Sequence, residues 1–420
     1  MTKKQLAKEA LEYHQLPQPG KLAIEATKPM ETQKDLSLAY TPGVATPCLE
    51  IEKDPMNAYK YTAKSNLVGV ISNGTAVLGL GDIGALASKP VMEGKSVLFK
   101  KFSGLDAYDI EVDTKSVDRF CSVVSALAPT FGGINLEDIK APECFEIERR
   151  LIDQLDIPVM HDDQHGTAVI SSAAIMNACE IANKDITKLK IVVVGAGAAA
   201  ISCARLYREM GVKNILMLDS KGLIHQGRSD LNDFKREFAI HNYMTHEEIF
   251  ANSDVVLGLS KPGTFELDDI KNMCDTPIIF TLANPTPEIF PEDTRKARPD
   301  AIIATGRSDY PNQVNNVLGF PFIFRGAMDV HAKEINTEMK LAASKALAEL
   351  AKKKVPEYLY KIHGRELKYG KEYIIPSPFD KRLVVEVSAA VAQAAIDSGV
   401  SRLKEFDIKG YKKELAKRIT

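Results

Sequence analysis

The stretch LKIVVVGAGAAAISCARLYREMGVKNILMLD, residues 189–219, decides the fold of this chain. A run of four β-branched residues predicts a short strand that is buried on both faces. Gly195 and Gly197 follow in the spacing Gly-x-Gly-x-x-Ala, and apolar residues over 201–210 recur at helical spacing. A second apolar run ends at Asp219. Strand, glycine turn, helix, strand and acid in this order predict a βαβ unit that binds a dinucleotide.

Each position in this unit has a physical reason. A glycine permits the tight turn, a second lets the backbone approach a pyrophosphate, and a small residue lets the helix pack against the strand. The N–H groups at the start of the helix attract phosphate, and the final acid can bind ribose hydroxyls. The predicted dinucleotide contacts are Gly195, Gly197, Ala198, Ala199, Ala200 and Asp219. The same glycine pattern also occurs in ordinary α/β turns, but both strands and the acid favour a nicotinamide dinucleotide.

Length and composition are those of a soluble protein with more than one core. A chain of 420 residues with 45% hydrophobic and 26% charged residues predicts two domains. The formal net charge of −2 argues against a nucleic-acid partner, and no apolar run is long enough to span a bilayer. Without an apolar signal-peptide segment, and with six scattered cysteines that form no C-x-x-C pair, we expect free thiols in the cytoplasm.

Three further apolar runs that end in polar turns follow the dinucleotide unit. They cover residues 254–260, 277–286 and 300–306. Strands that alternate with helices predict a parallel, doubly wound sheet, which binds ligands at the carboxyl ends of its strands. Asn284 and the turn at Gly306 therefore belong to the cofactor side.

Two single side chains upstream could serve acid–base chemistry. Tyr40 stands before a Thr-Pro-Gly turn that would hold its phenol rigidly, although a buried tyrosine bonded to a carbonyl explains the stretch more simply. Lys95 enters a run of strand-like apolar residues, where partial burial would lower its pKa toward that of a base. A surface lysine that extends its ammonium into water is the simpler explanation of this segment alone.

Two pairs of adjacent acids follow apolar segments. Glu137 and Asp138 form the first pair, and Asp162 and Asp163 form the second. Carboxylates are the ligands that Mg²⁺ and Mn²⁺ prefer, so the pairs predict a site for a hard divalent cation. The neighbouring histidines have no cysteine and no H-E-x-x-H pattern beside them, which argues against zinc.

Together these motifs resemble those of malic enzyme in its short prokaryotic form. The match runs from about Leu36 to about Ser398 in the family's order. The motifs are SLAYTPGVA (37–45), AVLGLGDIG (76–84), PVMEGK (90–95), LEDI (136–139), HDDQHGTA (161–168), GAGAAA (195–200), ANPT (283–286) and QVNNVLGFP (313–321). Eight motifs in order are specific, and they outweigh the structural explanations for Tyr40 and Lys95.

The resemblance implies oxidative decarboxylation of L-malate to pyruvate and CO₂, with NAD or NADP, with Mg²⁺ or Mn²⁺, and in a homodimer. It implies that Tyr40 donates a proton to the enol, that Lys95 is the general base on the malate hydroxyl, and that Asp162 assists proton transfer. The implied metal ligands are Glu137, Asp138 and Asp163. The implied contacts near substrate and nicotinamide are Asn284 and Asn316.

For the whole chain we therefore predict an α/β protein of two domains. An N-terminal α/β catalytic domain with the substrate and metal site would cover residues 1–160. A Rossmann-type domain with a doubly wound parallel sheet and a C-terminal helical segment would cover residues 161–420. Residues 1–31 predict a helix and a broken connector that could contact a second subunit, and residues 352–371 predict an exposed insertion.

Two features of ligand recognition depart from the family or stay open. Larger relatives carry an arginine that binds a malate carboxylate, where this chain has Thr75 and Ala76. We expect Thr75 and nearby backbone N–H groups to bind the carboxylate instead. Asp219 would repel the 2′-phosphate of NADP, whereas Ser220 and Lys221 could receive it, so both dinucleotides stay open.

Three other functions compete with a malic enzyme. A malolactic-type enzyme, which keeps NAD bound and releases lactate, would share every motif. A metabolite-binding module without catalysis would not need Tyr40, Lys95 and three metal carboxylates together. An amino-acid dehydrogenase fits the fold, but it would not need the metal carboxylates.

Overall fold

The computed structural model describes residues 3–77 and 79–418. The outer ends of the two predicted domains and one position of the AVLGLGDIG motif, Leu78, lie outside the described residues. In the described part, no helix is both long and apolar enough to cross a membrane.

Strands from the first half of the chain form a four-stranded parallel sheet, in the order β2-β1-β3-β4. Its strands are β1 (Leu67–Ser72), β2 (Asp106–Glu111), β3 (Gly133–Leu136) and β4 (Val159–His161). The helices before and around it are α1 (Lys3–Gln15), α2 (Gln33–Ala39), α3 (Ala45–Lys53), α4 (Ala58–Tyr61), α5 (Ala85–Ser103), α6 (Val117–Leu127), α7 (Glu143–Gln154) and α8 (Asp162–Ile181).

A six-stranded sheet follows in the order β10-β9-β8-β5-β6-β7, parallel except for β7. Its strands are β5 (Lys190–Val194), β6 (Asn214–Asp219), β7 (Gly222–Leu223), β8 (Val255–Gly258), β9 (Ile278–Thr281) and β10 (Ile302–Thr305). The remaining helices are α9 (Ala198–Glu209), α10 (Asp233–Arg236), α11 (His246–Phe250), α12 (Leu267–Lys271), α13 (Pro291–Ala297), α14 (Phe320–Asp329), α15 (Thr337–Lys352), α16 (Glu357–His363), α17 (Arg382–Asp397) and α18 (Ile408–Lys417). The predicted doubly wound sheet is confirmed.

The βαβ unit has the predicted form. Gly195 has φ +126°, and a Cβ there would lie 2.5 Å from the carbonyl oxygen of Leu259, so the turn needs glycine. Gly197 caps α9, and a Cβ there would meet no atom within 4 Å. Ala200 is buried where α9 packs on the sheet. The open space at Gly197 lies at the N-terminus of α9, where N–H groups attract phosphate.

Two local predictions are wrong. Lys95 does not enter a strand but lies in the middle of α5, a helix that contains Pro90. Residues 352–371 are not simply an exposed insertion, because α16 packs Leu359 against Val355 in a small core of their own.

The C-terminal helices return to the first sheet. Phe320 and Phe324 of α14 pack edge-on against Phe99 of α5, with ring centroids 4.8 and 5.4 Å apart. Arg325 of the same helix donates to Asn66 Oδ1 at 2.7 Å, just before β1. One hydrophobic core therefore joins both halves of the chain, and the boundary at residue 160 stays a prediction.

Candidate active site

A cleft of about 740 Å³ lies between the two sheets. Its volume is within the range of about 300–1,000 Å³ typical of ligand sites. The first half of the chain contributes α5 and the carboxylates after β3, and the second contributes the carboxyl ends of β8 and β9. The predicted site residues that line it are Lys95, Glu137, Asp138, Asp163, Ala199, Asn284 and Asn316.

Lys95 is the buried centre of this cleft. Its Nζ lies 2.6 Å from Asp162 Oδ2 and 2.9 Å from Glu137 Oε1, and it stands 4.2 Å from the ring centroid of Phe320. Burial alone would favour the neutral amine, but the charges of Asp162 and Glu137 outweigh it and raise the pKa of Lys95 above its ordinary value. The direction of this shift is opposite to the predicted fall, because two carboxylates face the ammonium.

The carboxylate of Asp162 is held by two side chains, Lys95 and Asn316. It is fully buried at the first turn of α8, and Asn316 Nδ2 donates to its Oδ2 at 3.1 Å. Asn316 Oδ1 in turn accepts from the hydroxyl of Thr167 at 3.0 Å. Gly166, one turn along α8, leaves room for the carboxylate, since a Cβ there would lie 2.1 Å from Asp162 Oδ1. Burial raises the pKa of Asp162, against the opposing charge of Lys95.

The three predicted metal ligands come together. One carboxylate oxygen each from Glu137, Asp138 and Asp163 lie within 4.8 Å of one another. The backbone N–H of Asp138 donates to Asp163 Oδ2 at 2.8 Å, and Asn135 Nδ2 donates to Glu137 Oε2 at 2.9 Å. Burial holds the pKa of Glu137 well above its usual range despite Lys95, and the neighbouring carboxylates add to the rise. Three clustered carboxylates with excess negative charge fit a hard divalent cation.

Glu148 is a supporting residue that the sequence did not reveal. Its Oε1 accepts the backbone N–H of His161 at 2.7 Å, and its Oε2 lies 2.9 Å from His165 Nε2. It thereby fixes both sides of the Asp162–Asp163 pair from α7. Only the folded arrangement brings this single glutamate to the motif.

The carboxyl ends of β8 and β9 are fixed by another buried acid. Glu288 accepts the backbone N–H of Ser260 at 2.9 Å and that of Ala283 at 3.2 Å. Both residues line the cleft, as does Asn284, whose Nδ2 lies 3.4 Å from the carbonyl of Leu282. Asn284 lies just after the carboxyl end of β9 and lines the cleft, and its contact with a cofactor stays a prediction.

The acid at the end of β6 is not free for a ribose. Arg228 donates to both oxygens of Asp219 at 2.8 and 2.9 Å, and Lys235 Nζ lies 2.7 Å from Oδ2. Although burial opposes ionisation, these bonds lower the pKa of Asp219 to about 2. Lys221 Nζ pairs with Asp230 at 2.8 Å. Neither Arg228 nor Lys235 lies in a recognised sequence motif, so the sequence did not reveal this basic cluster.

Ser220 and Lys221 lie directly after β6 and are exposed to solvent, as a contact to a ligand phosphate requires. Their predicted role is therefore sterically possible. The predicted repulsion by Asp219 is not what the charges around it indicate, because two cations neutralise its carboxylate.

The role predicted for Thr75 is wrong. Its hydroxyl is buried, donates to Asn73 Oδ1 at 2.7 Å and accepts the backbone N–H of Lys140 at 3.0 Å. The adjacent N–H of Ala76 donates to the carbonyl of Asp138 at 2.9 Å. These groups hold the loop beside the metal ligands and are not available to a substrate carboxylate.

Tyr40 does not reach the cleft of its own chain. It follows α2, its side chain is 68% exposed, and it is not among the residues that line the cleft. Exposed apolar neighbours surround it in sequence, among them Leu36, Leu38 and Leu49. The tyrosine that lines the cleft from within the chain is Tyr13 of α1, which no motif indicated.

Two family models cover most of the chain. "Malic enzyme, N-terminal domain" matches residues 19–152, and "Malic enzyme, NAD binding domain" matches residues 164–361. The chain belongs to the malic enzyme family. A solved malic enzyme from Pyrococcus horikoshii is similar over 99% of this chain and 96% of that one, with 40% identity and a TM-score of 0.90.

This chain is similar in sequence to longer malic enzymes and to malic enzymes of about its own length. The NADP-dependent malic enzyme of Salmonella typhimurium is 57% identical over 97% of this chain, and this chain spans about half (54%) of its length. That of Halomonas elongata is 56% identical, with 94% of both chains covered. A relative from Bacillus subtilis, named a bifunctional malic/malolactic enzyme, is 48% identical, with 95% of both chains covered.

Proposed function

We propose that this chain oxidatively decarboxylates L-malate to pyruvate and CO₂ and reduces NADP. The observation that carries the proposal is the position of the Lys95–Asp162 pair. It lies beside three clustered carboxylates, in one cleft with the turn that would bind the dinucleotide. A binding module would not need a buried proton-transfer pair next to a metal site.

The chain's own residues would bind the cofactors and move the protons. Glu137, Asp138 and Asp163 would hold the divalent cation. When bound, this cation would polarise the C2 oxygen, and the dinucleotide would accept hydride from C2. Lys95 Nζ would first give a proton to Asp162 Oδ2, 2.6 Å away, and as the neutral amine would then take the proton of the C2 hydroxyl. After CO₂ leaves C3, a tyrosine hydroxyl would protonate C3 and regain its proton from Lys95, to which Asp162 would return the first proton.

The test is absorbance at 340 nm with L-malate, Mn²⁺ and either NADP or NAD, followed by an assay for pyruvate and lactate. Reduced NADP with pyruvate is the expected result. Lactate without net reduction of the dinucleotide would assign the malolactic reaction instead. This alternative is a specific one because the Bacillus subtilis relative is named a bifunctional malic/malolactic enzyme. Folded protein without turnover on malate would contradict the proposal.

The choice of NADP rests on the basic cluster at β6. Three cations, Lys221, Arg228 and Lys235, face two carboxylates there, Asp219 and Asp230. The excess positive charge favours a 2′-phosphate over a free hydroxyl. Several similar proteins are named NADP-dependent, although one from Rhizobium meliloti at 54% identity is named NAD-dependent.

Arg228→Ala tests the dinucleotide preference. We expect KM for NADP to rise about tenfold, the usual value of a charge-assisted hydrogen bond, while KM for NAD stays within about twofold. Arg205→Ala is the matched control, because Arg205 of α9 pairs with Glu237 and with neither carboxylate of the cluster. An equal rise in both KM values would contradict a 2′-phosphate contact.

The chain is proposed to act as a homodimer in the cytoplasm, with Tyr40 in the cleft of the partner subunit. The exposed phenol and its exposed apolar neighbours support a protein contact at this arm. All six cysteines are free thiols, which fits a reducing compartment.

Complementation tests the shared site. Tyr40→Phe and Lys95→Ala should each be nearly inactive alone. Mixed dimers should regain up to a quarter of wild-type activity at equal amounts, because random assembly makes half of the dimers mixed and each has one intact site. If the reacting tyrosine is instead Tyr13, Tyr40→Phe would stay active and Tyr13→Phe would be inactive. Mixing Tyr13→Phe with Lys95→Ala would then restore nothing, because Tyr13 and Lys95 line the same cleft of one chain.

A further inference from the structure

A second lysine in the cleft comes from the connector after α1. Gly20 has φ +84°, a left-handed conformation that favours glycine and lets the chain turn sharply. The backbone N–H of Lys21, the next residue, donates to Glu93 Oε2 at 3.0 Å. This bond fixes the connector against α5, two residues before Lys95.

The side chain of Lys21 points into the cleft. It is only 10% exposed and lines the same cavity as Lys95 and the three carboxylates. Its Cε lies 3.9 Å from the position that a Cβ on Gly94 would occupy, so the stem crosses α5 at the residue before Lys95. The connector thus delivers a positive charge to the reacting end of the cleft.

Among the residues that the structure describes, the ammonium of Lys21 has no hydrogen-bond partner. Its Nζ is buried, and Glu93 Oε2 lies 3.6 Å away, as a charge neighbour only. An ammonium carries three donors, and burying them without acceptors costs free energy. The cleft therefore contains an unsatisfied cation that an anionic ligand would complete.

Among the described residues that line the cleft, no other cation is free for a substrate carboxylate. The hydroxyl of Thr75 and the backbone N–H of Ala76, which were predicted for this task, are bonded to other protein groups. Lys95 is occupied by Asp162 and Glu137. Among the cleft-lining residues that the structure describes, Lys21 and Lys95 are the two that carry a positive charge.

We propose that Lys21 binds the substrate carboxylate that remains in pyruvate. This inference rests on the proposed malate reaction. A cation on the departing carboxylate would stabilise that anion before reaction and oppose the loss of CO₂. The retained carboxylate keeps its charge throughout, so a fixed ammonium can hold it in reactant and product alike.

Lys21→Met tests the assignment with two ligands. We expect KM for L-malate and the inhibition constant of pyruvate to rise by similar factors, about tenfold to a hundredfold, while KM for NADP changes less than twofold. Lys21→Arg should recover most of the loss, since it restores the charge. Unchanged pyruvate inhibition with a raised KM for malate would place Lys21 on the departing carboxylate and overturn the proposal.

Glu93→Gln is the matched control for a purely structural role. It removes the counter-charge of Lys21 but keeps an oxygen that can accept the backbone N–H. If Lys21 only anchors the connector, both variants should raise KM for malate alike, and the proposal fails. If wild-type protein forms no pyruvate from malate, the proposed function fails, whereas active wild type with an unaffected Lys21→Met overturns only the role of Lys21.

Discussion

One charged cluster of the site has an excess of negative charge, and the other has an excess of positive charge. At the reacting end, four carboxylates cluster beside Lys95, so negative charge is in excess even with Lys21 in the same cleft, and Glu137 and Asp162 have raised pKa values. At the end of β6, three cations face two carboxylates, and the pKa of Asp219 is lowered. The first cluster lacks a cation and the second lacks an anion. The difference identifies, from charge alone, which end would bind metal and which would bind phosphate.

The largest expected effect comes from removing the lysine of the acidic cluster. Lys95→Ala should lower kcat by about 10²–10⁴-fold, because it deletes the proton carrier and leaves Asp162 and Glu137 without their counter-charge. Steady-state kinetics with malate and NADP measure this. Lys89→Ala, on the same helix but paired with Asp109, is the control that should retain activity.

A steric change at the same cluster should have the next largest effect. Gly166→Ala places a methyl group 2.1 Å from the present position of Asp162 Oδ1, so the carboxylate must move away from Lys95. We expect kcat to fall by about a hundredfold, as small displacements of reacting groups do. Ala168→Gly weakens the same helix by about 1 kcal/mol without adding an atom there, and kcat near wild type is expected. An equal loss in both variants would show that helix stability, not geometry, decides activity.

Metal binding tests whether the excess negative charge of the three clustered carboxylates attracts a cation. Mn²⁺ at about 100 times its Kd should stabilise the folded protein by about 2.7 kcal/mol, which thermal unfolding detects. Asp163→Asn removes one of the three clustered ligands, so the shift should shrink. Equal stabilisation of both proteins would place the ion elsewhere.

The smallest effect is expected at the basic cluster. The pKa of Asp219 is about 2, below the ordinary value of about 4, so its ion pairs add stability above pH 4 and lose it as the pH falls toward 2. Asp219→Asn should therefore destabilise the protein by about 1–2 kcal/mol at pH 7 and by less at pH 3. Urea unfolding of both proteins at pH 7 and pH 3 measures the difference in their free energies of unfolding. A difference that is larger at pH 3 than at pH 7 would contradict the prediction.

The sequence predicted what local patterns specify. The second sheet, the glycine turn and the two pairs of acids could be predicted because strand, turn and acid are contiguous in the chain, whereas only the resemblance indicated which three acids would bind metal. The helix α5 could not, since three of its buried positions, Ser88, Ser96 and Ser103, are polar and hide the helical spacing. Lys21 and Arg228 were missed because single charged residues acquire a role only when folding places them beside distant partners.

The return of α14 to the first sheet has a consequence for synthesis. The partners of Phe99 are Phe320 and Phe324, which leave the ribosome long after α5 does. At about 5–20 residues per second, the interval lasts on the order of tens of seconds. Throughout that time Phe99 on α5 lacks its aromatic partners, so a nascent chain stalled before residue 320 is a candidate substrate for chaperones.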